Sequence, residues 1–399
     1  MNILFIGTTD ILGGAARISW DLKNALESRG DTVSMFVADK RSSDKKVMVI
    51  PRQSWRKYLG FLLATDDLLS SDWIMNTKEY KGADIIHCHN LHGRYFNLST
   101  LQKMSVEKPI IWTLHDEWAI TPHCVCTLEG KSMKNGLYVC PSKKTPPRIL
   151  WDNTKYLSWR KNSLYKKSKL HIVTPSQWLK KRVDNTILKS QDVKSISNGV
   201  DVDIFKMSDK HIARQKLNLP FDKKIVLFLA DDAKNNIWKG WKYTQEIINK
   251  YKDNNNLLFI SVGNNVPYPD KDNVRYLPRI DKKEDVALYY SSSDILLFTS
   301  IAENLPLVIL EAMACGLPIV SFDVGGVKEA LLHKKNGYIA RYCDIEDLMT
   351  GMQYILKLKD DELRSMSLDS IDRIRNNFSL SIMINEYYNL YKKILHQNG

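Results

Sequence analysis

The sequence predicts an α/β protein with two doubly wound lobes, and three observations support this fold class. The chain has 399 residues, which suits two cores better than one, because a domain typically holds ~100–200 residues. Its composition, 44% hydrophobic and 26% charged, is that of a folded globular protein. Short apolar runs alternate with helical patterns in both halves, which indicates parallel sheets covered by helices on both faces.

Apolar runs of strand length recur in each half of the chain. In the first half we predict strands at 2–6, 32–37, 84–87, 109–114 and 170–173 and a helix around 17–29. In the second half we predict strands at 224–230, 256–262, 273–276, 294–299 and 318–322 and a helix near 243–251. Each strand is apolar almost throughout, as expected for strands buried on both faces.

The polar stretch at 206–210 predicts the boundary between the two lobes. We therefore expect domains at 1–205 and 206–379. A last helix at about 380–395 follows the second sheet, and we expect residues 380–399 to pack back toward the first lobe. Ligands bind such sheets beyond the carboxyl ends of the strands, so the two lobes should face one another across a cleft.

The sequence favours a cytoplasmic protein without a membrane span. A span needs ~18–20 uninterrupted apolar residues, and the longest candidate, 305–322, carries Glu311 in its middle. The N-terminus has no basic region before its apolar stretch and no small-residue cleavage site.

The formal net charge of +13 comes from one region of the chain. Residues 131–190 contain fifteen Lys and Arg against two acids, whereas the remaining basic and acidic residues balance at 43 each. Aromatic residues are interleaved with this charge: Trp151, Tyr156, Trp159, Tyr165 and Trp178. Such a mixture suits an anionic membrane surface or a nucleic acid, and a solvated face is the alternative. A second amphipathic stretch lies at 54–63.

The most informative segment places two carboxylates, Glu303 and Glu311, eight positions apart around a helix start. Pro306 suits the first helical turn, where a missing N–H costs nothing. A carboxylate at a helix N-terminus can accept hydrogen bonds from sugar hydroxyls, while the N–H groups of Asn304 and Leu305 bind a phosphate. The alternative is that Glu303 only interacts favourably with the helix dipole and that Glu311 is a buried, paired carboxylate.

This segment and the Gly325-Gly326 turn after it resemble the signature of retaining, nucleotide-sugar-dependent glycosyltransferases of family four, which have the GT-B fold. The likeness extends over nearly the whole chain. It includes Gly13-Gly14, Thr113-Leu-His-Asp116, Thr174-Pro-Ser176, Asn198-Gly-Val-Asp201 and Lys239-Gly240. The resemblance implies Rossmann-like lobes, of which the first holds the acceptor and the second the donor. It also implies sugar transfer from a nucleoside diphosphate with retention of configuration and without a metal or other cofactor.

The resemblance assigns roles to residues of the second lobe. Glu303 matches the catalytic acid that contacts the donor sugar, and Glu311 matches the acid that holds the ribose. The backbone from Asn304 to Leu307 should meet the distal phosphate, apart from Pro306, which has no N–H. Lys239 matches the diphosphate-binding lysine. The family usually has an arginine five residues before this lysine, and here that position is Lys234. Lys234 would either supply a point charge to the diphosphate or be a solvated loop lysine.

The resemblance also assigns residues of the first lobe. Gly13 and Gly14 open a helix where the backbone can approach a phosphate, although a simple turn is the alternative. His115 should contact the donor sugar and stabilise the transition state. The alternative for His115 is a core histidine. His89 and Asn90 resemble a segment near the acceptor.

Six cysteines without a signal peptide indicate reduced thiols. Three of them, with one histidine, resemble a cysteine-rich insertion of one branch of the family: His123, Cys124, Cys126 and Cys140. A Cys3His zinc site is chemically reasonable. The spacing is not typical of a zinc motif, so we favour unligated thiols and no metal.

We therefore expect a glycosyltransferase that acts on a saccharide or lipid-linked saccharide in surface polysaccharide or glycoconjugate synthesis. A lipid-diphosphate acceptor would explain the basic and aromatic stretch, with the enzyme peripheral at the inner face of the plasma membrane. Two alternatives remain open at this point. A nucleotide-sugar epimerase or hydrolase would share the fold, and a nucleic-acid-binding protein would explain the charge but not the two glutamates. We expect no nucleic-acid partner.

Overall fold

The computed structural model describes residues 1–128, 133–263 and 273–398 and divides into two compact units. Unit 1 comprises Met1–Asn198 and the chain from Met383 onward, and unit 2 comprises Gly199–Ile382. The boundaries that we expected at 205 and 379 lie a few residues away from these limits. Val200 is hydrogen-bonded to the backbone of Phe378 and Leu380, which ties the segment before the expected boundary to unit 2.

Unit 1 is built on a seven-stranded parallel sheet with the order β3-β2-β1-β4-β5-β8-β9. Its strands are β1 (Asn2–Thr9), β2 (Thr32–Asp39), β3 (Val47–Val49), β4 (Ile85–Cys88), β5 (Ile110–Thr113), β8 (His171–Thr174) and β9 (Asp192–Ser195). A small antiparallel hairpin joins β6 (Met133–Lys134) to β7 (Leu137–Tyr138).

Six α-helices alternate with these strands along the described part of unit 1 before the last helix of the chain. They are α1 (Gly14–Ser28), α2 (Ser54–Leu62), α3 (Lys78–Lys81), α4 (Leu98–Glu107), α5 (Thr154–Lys166) and α6 (Gln177–Asp184), with short 3-10 helices at Asp72–Asn76 and Trp118–Ile120.

Unit 2 repeats this architecture with a six-stranded parallel sheet of order β12-β11-β10-β13-β14-β15. Its strands are β10 (Lys224–Leu229), β11 (Leu257–Val262), β12 (Val274–Leu277), β13 (Ile295–Phe298), β14 (Ile319–Phe322) and β15 (Tyr338–Ala340). Its helices are α7 (Lys210–Lys216), α8 (Trp241–Lys250), α9 (Lys283–Ser292), α10 (Leu307–Ala314), α11 (Val327–Ala330), α12 (Ile345–Leu356) and α13 (Asp360–Asn377), with a 3-10 helix at Ile237–Lys239. The last helix, α14 (Leu380–Asn398), belongs to unit 1 from Met383 onward.

The predicted class of two doubly wound α/β lobes is confirmed. The ten predicted strands are present, because their apolar side chains fill the cores; Ile3 to Ile6, for example, are at most 2% exposed. The sequence analysis missed the short hairpin strands β6 and β7 and three strands of the two large sheets, β3, β9 and β15, which all lie at sheet edges. Edge strands are short and often polar, so they lack the continuous apolar run that identifies a central strand.

Within the described ranges, every helix is too short or too polar to cross a membrane.

Candidate functional site

Glu303 lies in the segment between β13 and α10, at the carboxyl end of the unit 2 sheet. Its Oε1 is 2.8 Å from Nζ of Lys239, and the two side chains are 12% and 30% exposed. The structure therefore brings together the acid and the lysine that the motifs predict. Pro306 is the N-cap of α10, one position before the first helical turn where we expected it.

The Lys239-Gly240 pair is held against the end of β13. The Thr299 hydroxyl donates to the Lys239 carbonyl at 3.0 Å, and the Ile301 N–H donates to the Trp238 carbonyl at 2.8 Å. Gly240 has φ +66°, and a Cβ atom there would lie 1.9 Å from the Thr299 carbonyl oxygen. Only glycine permits this approach, which fixes the backbone that carries Lys239.

The Gly325-Gly326 turn supports Glu303 from the other side. Gly325 has φ +56°, and a Cβ atom there would lie 2.0 Å from the Glu303 carbonyl oxygen. The Gly326 N–H donates to the Asn304 carbonyl at 2.7 Å. The loop that holds Glu303 is thus fixed by backbone contacts on both sides.

Glu311 lies inside α10 and is 2% exposed. The Tyr290 hydroxyl donates to its Oε2 at 3.0 Å. The carboxylate is therefore buried and paired, in line with the alternative that the sequence left open. Tyr290 was missed by sequence reasoning, since a tyrosine on α9 carries no signal that it meets an acid 21 positions later.

Lys234 is placed among aromatic rings of unit 2. Its Nζ lies 5.3 Å from the ring centroid of Trp241 and 5.5 Å from that of Tyr276. Such a position suits a cation–π contact. Lys239, rather than Lys234, is the lysine that the structure pairs with Glu303.

In unit 1 the Gly13-Gly14 pair opens α1, with Gly13 as the N-cap at φ 92°. The loop before it is organised by Asp10, which is fully buried. Its carboxylate accepts from the N–H groups of Arg41 at 2.9 Å and Ser42 at 2.8 Å. Burial favours a higher pKa for Asp10, but these hydrogen bonds outweigh it and lower the pKa. The sequence analysis missed Asp10.

His89 and His115 follow the adjacent strands β4 and β5 and are joined by a hydrogen bond of 2.9 Å from Nδ1 of His89 to Nε2 of His115. Burial lowers the pKa of His115 to about 4. Burial and the neighbouring histidines also lower the pKa of His89 well below its ordinary value. Both rings are therefore neutral near pH 7. Nε2 of His89 is buried and has no hydrogen-bond partner in the described part of the chain.

The pair formed by His89 and His115 lies next to a buried polar network that includes side chains of α14. Nδ1 of His87 is 2.7 Å from the Tyr391 hydroxyl, and its Nε2 is 2.8 Å from the Thr113 hydroxyl. The Thr113 hydroxyl also meets that of Tyr387 at 2.9 Å. These contacts fix the ends of β4 and β5. Asn90, predicted with His89, accepts a hydrogen bond from the Thr8 hydroxyl through its backbone oxygen.

The cysteine cluster requires a correction. Cys124 and Cys140 form a disulfide, with Cα atoms 5.8 Å apart, so our expectation of reduced thiols is wrong for this pair. The reason is that β6, β7 and the following loop bring Cys140 back to Cys124 within disulfide reach. Nδ1 of His123 contacts the Pro147 carbonyl oxygen at 3.0 Å. Across the described ranges, no three His, Cys, Asp or Glu side chains are grouped to hold a metal ion, and Cys126 does not take part in the disulfide.

The basic stretch is partly internal, which the sequence did not reveal. Lys161 is 3% exposed and donates to backbone carbonyls. Arg182 forms an ion pair with Glu117 at 2.6 Å, and Arg160 forms one with Asp67 at 2.8 Å. Only part of the charge excess therefore faces solvent. Lys131 of this stretch lies outside the described residues.

Comparisons with known proteins identify the family that the chain resembles. Residues 12–204 match the family described as Glycosyltransferase Family 4, and residues 209–367 match the family described as Glycosyl transferases group 1. WcaC of Escherichia coli K12, assigned to colanic acid biosynthesis as a glycosyl transferase, is 23% identical over 99% of this chain and 100% of its own.

A second relative, from Campylobacter jejuni, is N,N'-diacetylbacillosaminyl-diphospho-undecaprenol alpha-1,3-N-acetylgalactosaminyltransferase. It is 27% identical over 45% of this chain and 47% of its own. The solved structure of Anabaena Alr3699/HepE in complex with UDP and glucose is similar with a TM-score of 0.70 and 17% identity, covering 98% of this chain and 99% of its own. This likeness confirms the predicted fold class.

Proposed function

Since the chain belongs to the glycosyltransferases of family 4 and group 1, we propose that it is a retaining enzyme that moves a sugar from a nucleoside-diphosphate sugar to a saccharide acceptor. The observation that carries the proposal is the Lys239–Glu303 ion pair beside the N-terminus of α10. A cation and a carboxylate placed together can bind the diphosphate and the sugar of such a donor.

Each member of the pair has a partner in the donor. The Lys239 ammonium would neutralise the diphosphate as the bond between the anomeric carbon and the phosphate oxygen breaks. The Glu303 carboxylate would accept hydrogen bonds from hydroxyl groups of the sugar. The acceptor oxygen would then bond to the anomeric carbon on the face that the diphosphate leaves, and the acceptor hydroxyl proton would pass to the departing phosphate oxygen.

Other predicted residues serve the same reaction in this proposal. The backbone at the start of α10 would hold the distal phosphate, and Glu311 would hold the ribose. The His115 ring, neutral because its pKa is lowered to about 4, would contact the reacting sugar as a hydrogen-bonding group and not as a cation.

We further propose a lipid-linked acceptor in surface polysaccharide synthesis, as the names of WcaC and the Campylobacter relative suggest. Exposed apolar side chains on α2 and around the start of α5 support this proposal. They are Trp55, Tyr58, Leu62, Leu63, Trp151 and Trp159. Nε1 of Trp151 donates to the Leu62 carbonyl at 2.9 Å, so both segments form one surface, which we call the aromatic face.

The aromatic face would rest on the anionic inner surface of the plasma membrane, where basic side chains contribute ~1 kcal/mol each. Arg56, Lys57 and Lys155 lie in the same two segments. Disulfides are rare in the cytoplasm, so the Cys124–Cys140 bond is the observation that argues against this location.

A thermal-shift screen of nucleoside diphosphates and nucleotide sugars tests the function. Binding to the folded protein raises the melting temperature by mass action. We expect one nucleotide to do so, and its sugar derivative to release nucleoside diphosphate faster when a saccharide is added. If no nucleotide raises the melting temperature and none is released, the proposal is wrong.

Vesicle sedimentation tests the membrane proposal. The protein should sediment with vesicles containing acidic lipid, salt should release it, and Trp55→Ser with Trp159→Ser should weaken binding. Phe221→Ser is the matched control, because Phe221 is similarly exposed, at 54% against 59% for Trp55 and 61% for Trp159, but lies in unit 2. Equal sedimentation of all variants, or equal binding to neutral vesicles, would contradict the proposal.

A further inference from the structure

His89 is anchored in the core of unit 1, directly after β4. The residue is 3% exposed. Its backbone N–H donates to the Ile6 carbonyl at 2.8 Å, and its own carbonyl oxygen accepts from Nε1 of Trp112 at 2.9 Å. The imidazole ring packs against two other rings, with centroid distances of 4.2 Å to His87 and 5.2 Å to Phe5. These contacts give the ring of His89 a defined position.

From this position His89 contacts His115, which follows the adjacent strand β5. Nδ1 of His89 lies 2.9 Å from Nε2 of His115. The ring centroids are 5.2 Å apart and the ring planes differ by 21°, so the two nitrogens face each other close to the planes of both rings. This geometry suits a hydrogen bond in which one nitrogen carries the proton and the other accepts it.

Both rings are neutral near pH 7, because burial lowers the pKa of each histidine. A neutral imidazole carries one proton, and the hydrogen bond made by one nitrogen decides which nitrogen holds it. Two arrangements are therefore possible. Either Nδ1 of His89 donates, so that His115 carries its proton at Nδ1, or Nε2 of His115 donates, so that His89 carries its proton at Nε2.

Nε2 of His89 distinguishes the two arrangements. This atom is buried and has no hydrogen-bond partner in the part of the chain that the structure describes. In folded proteins a buried backbone N–H without an acceptor is rarer than a carbonyl that lacks a donor. The same preference, applied to the ring, places the proton of His89 at Nδ1, where His115 accepts it, and leaves Nε2 without one.

We propose that His89 is a positioning residue that holds His115 in the tautomer with its proton at Nδ1. The assignment rests on the proposed function, in which the ring of His115 contacts the reacting sugar, and it specifies the group that the sugar meets. Because Nε2 of His115 accepts from His89, His115 would act on a sugar hydroxyl as an N–H donor through Nδ1. An imidazole in the other tautomer would offer an acceptor there, and a wrong tautomer impairs catalysis. This role differs from the acceptor contact that the sequence suggested for His89.

The tautomer of His115 can be measured without a donor. Long-range proton–nitrogen NMR correlation of the full chain, labelled with nitrogen-15 histidine, distinguishes protonated from unprotonated ring nitrogens. The spectrum of His115→Gln identifies the signals of His115. In wild type at pH 7 we expect a protonated Nδ1 and an unprotonated Nε2. A proton at Nε2, or a mixture of both tautomers, would overturn the proposal even if no variant of His89 folded.

Two substitutions separate the hydrogen bond of His89 from its packing. His89→Asn keeps an N–H donor at the same number of bonds from the Cβ atom as Nδ1, whereas His89→Leu fills the site without a donor. Asparagine should preserve the tautomer of His115, and leucine should convert it to the other tautomer or to a mixture. His171→Leu is the control, because His171 lies on β8, beside β5, and its Nδ1 contacts Asp192. It should leave the signals of His115 unchanged.

Transfer assays extend the test to the reaction. In His89→Leu, kcat should fall about tenfold, which corresponds to ~1.4 kcal/mol of transition-state stabilisation, and His89→Asn should recover most of this loss. Nucleoside-diphosphate affinity should stay within about twofold of wild type, because the proposed nucleotide site is in unit 2. An unchanged tautomer in His89→Leu, or an equal fall in kcat in two variants whose His115 tautomers differ, would overturn the proposal.

The outcomes also separate the role of His89 from the proposed function. The NMR spectra are recorded without nucleotide, so they do not depend on glycosyl transfer. If His115 has the expected tautomer but the protein releases no nucleoside diphosphate from any nucleotide sugar, the proposed function is wrong and the tautomer assignment stands.

Discussion

Lys239 and Glu303 form an ion pair in unit 2, with Nζ 2.8 Å from Oε1, although 64 residues separate them in the chain. The pair sits between two glycine-dependent backbone contacts, at Gly240 and Gly325. In the proposed function, the donor would bind where the two side chains now contact each other. Donor binding would therefore exchange one ion pair for a lysine–phosphate contact and a set of hydroxyl–carboxylate hydrogen bonds.

Replacing Glu303 with alanine should abolish transfer and leave the fold intact. A partly exposed ion pair contributes ~0–1 kcal/mol to stability, so the free energy of unfolding should change by no more than about that amount. Nucleoside diphosphate should bind at least as tightly as to wild type, because Lys239 loses its competing carboxylate. Turnover within a few-fold of wild type would show that Glu303 does not act on the donor sugar.

Tyr290→Phe should weaken nucleoside-diphosphate binding several-fold, and Glu311→Ala should weaken it further. The phenylalanine removes the hydroxyl that donates to Oε2 of the buried Glu311 carboxylate and helps to orient it. Calorimetry measures both affinities, and Tyr289→Phe on the same helix is the control. Unchanged affinity in Glu311→Ala would remove the ribose-binding role.

Gly325→Ala should inactivate the enzyme by moving the Glu303 loop. The added Cβ would lie 2.0 Å from the Glu303 carbonyl oxygen, at a φ that alanine also disfavours. Gly30→Ala is the matched control, because φ there is +89° with nothing within 4 Å of the Cβ. It should cost about 1 kcal/mol of stability and no activity. If both variants lose activity equally, the clash at Glu303 is not the cause.

Acidification should destabilise unit 1 through His115. Its pKa is about 4 in the folded protein and ~6.5 in the unfolded chain, so only the unfolded chain takes up a proton between these values. The stabilising contribution is present above pH 6.5 and is lost as the pH falls toward 4. Urea unfolding at pH 7 and pH 5 should show that wild type loses up to about 2 kcal/mol more than His115→Gln. An equal loss in both proteins would mean that His115 titrates normally.

Transfer should persist in EDTA. In the proposed mechanism, Lys239 and the N-terminus of α10 would neutralise the diphosphate in place of a divalent ion. The assay compares initial rates with and without the chelator. Loss of activity that Mg²⁺ or Mn²⁺ restores would overturn this expectation.

A feature of this molecule could be predicted when the residues that determine it are close together in the sequence. The central strands and the Glu303 loop are encoded in short, continuous segments, so the sequence analysis predicted both. The contact between His87 and Tyr391 joins residues 304 positions apart, and no local pattern announces it. The same holds for Asp10 and Tyr290, whose environments arise only from packing. The sequence likewise showed the charge of residues 131–190 but not that Lys161 and Arg182 are internal.

The stereochemistry of the product tests the central claim most directly. Wild-type protein and the Glu303→Ala variant would be incubated with the nucleotide sugar selected by the thermal-shift screen and a saccharide acceptor, and the anomeric proton of the product would be examined by NMR. The account predicts that an α-configured donor gives an α-linked product with wild type and none with the variant. A β-linked product, or equal product from both proteins, would contradict it.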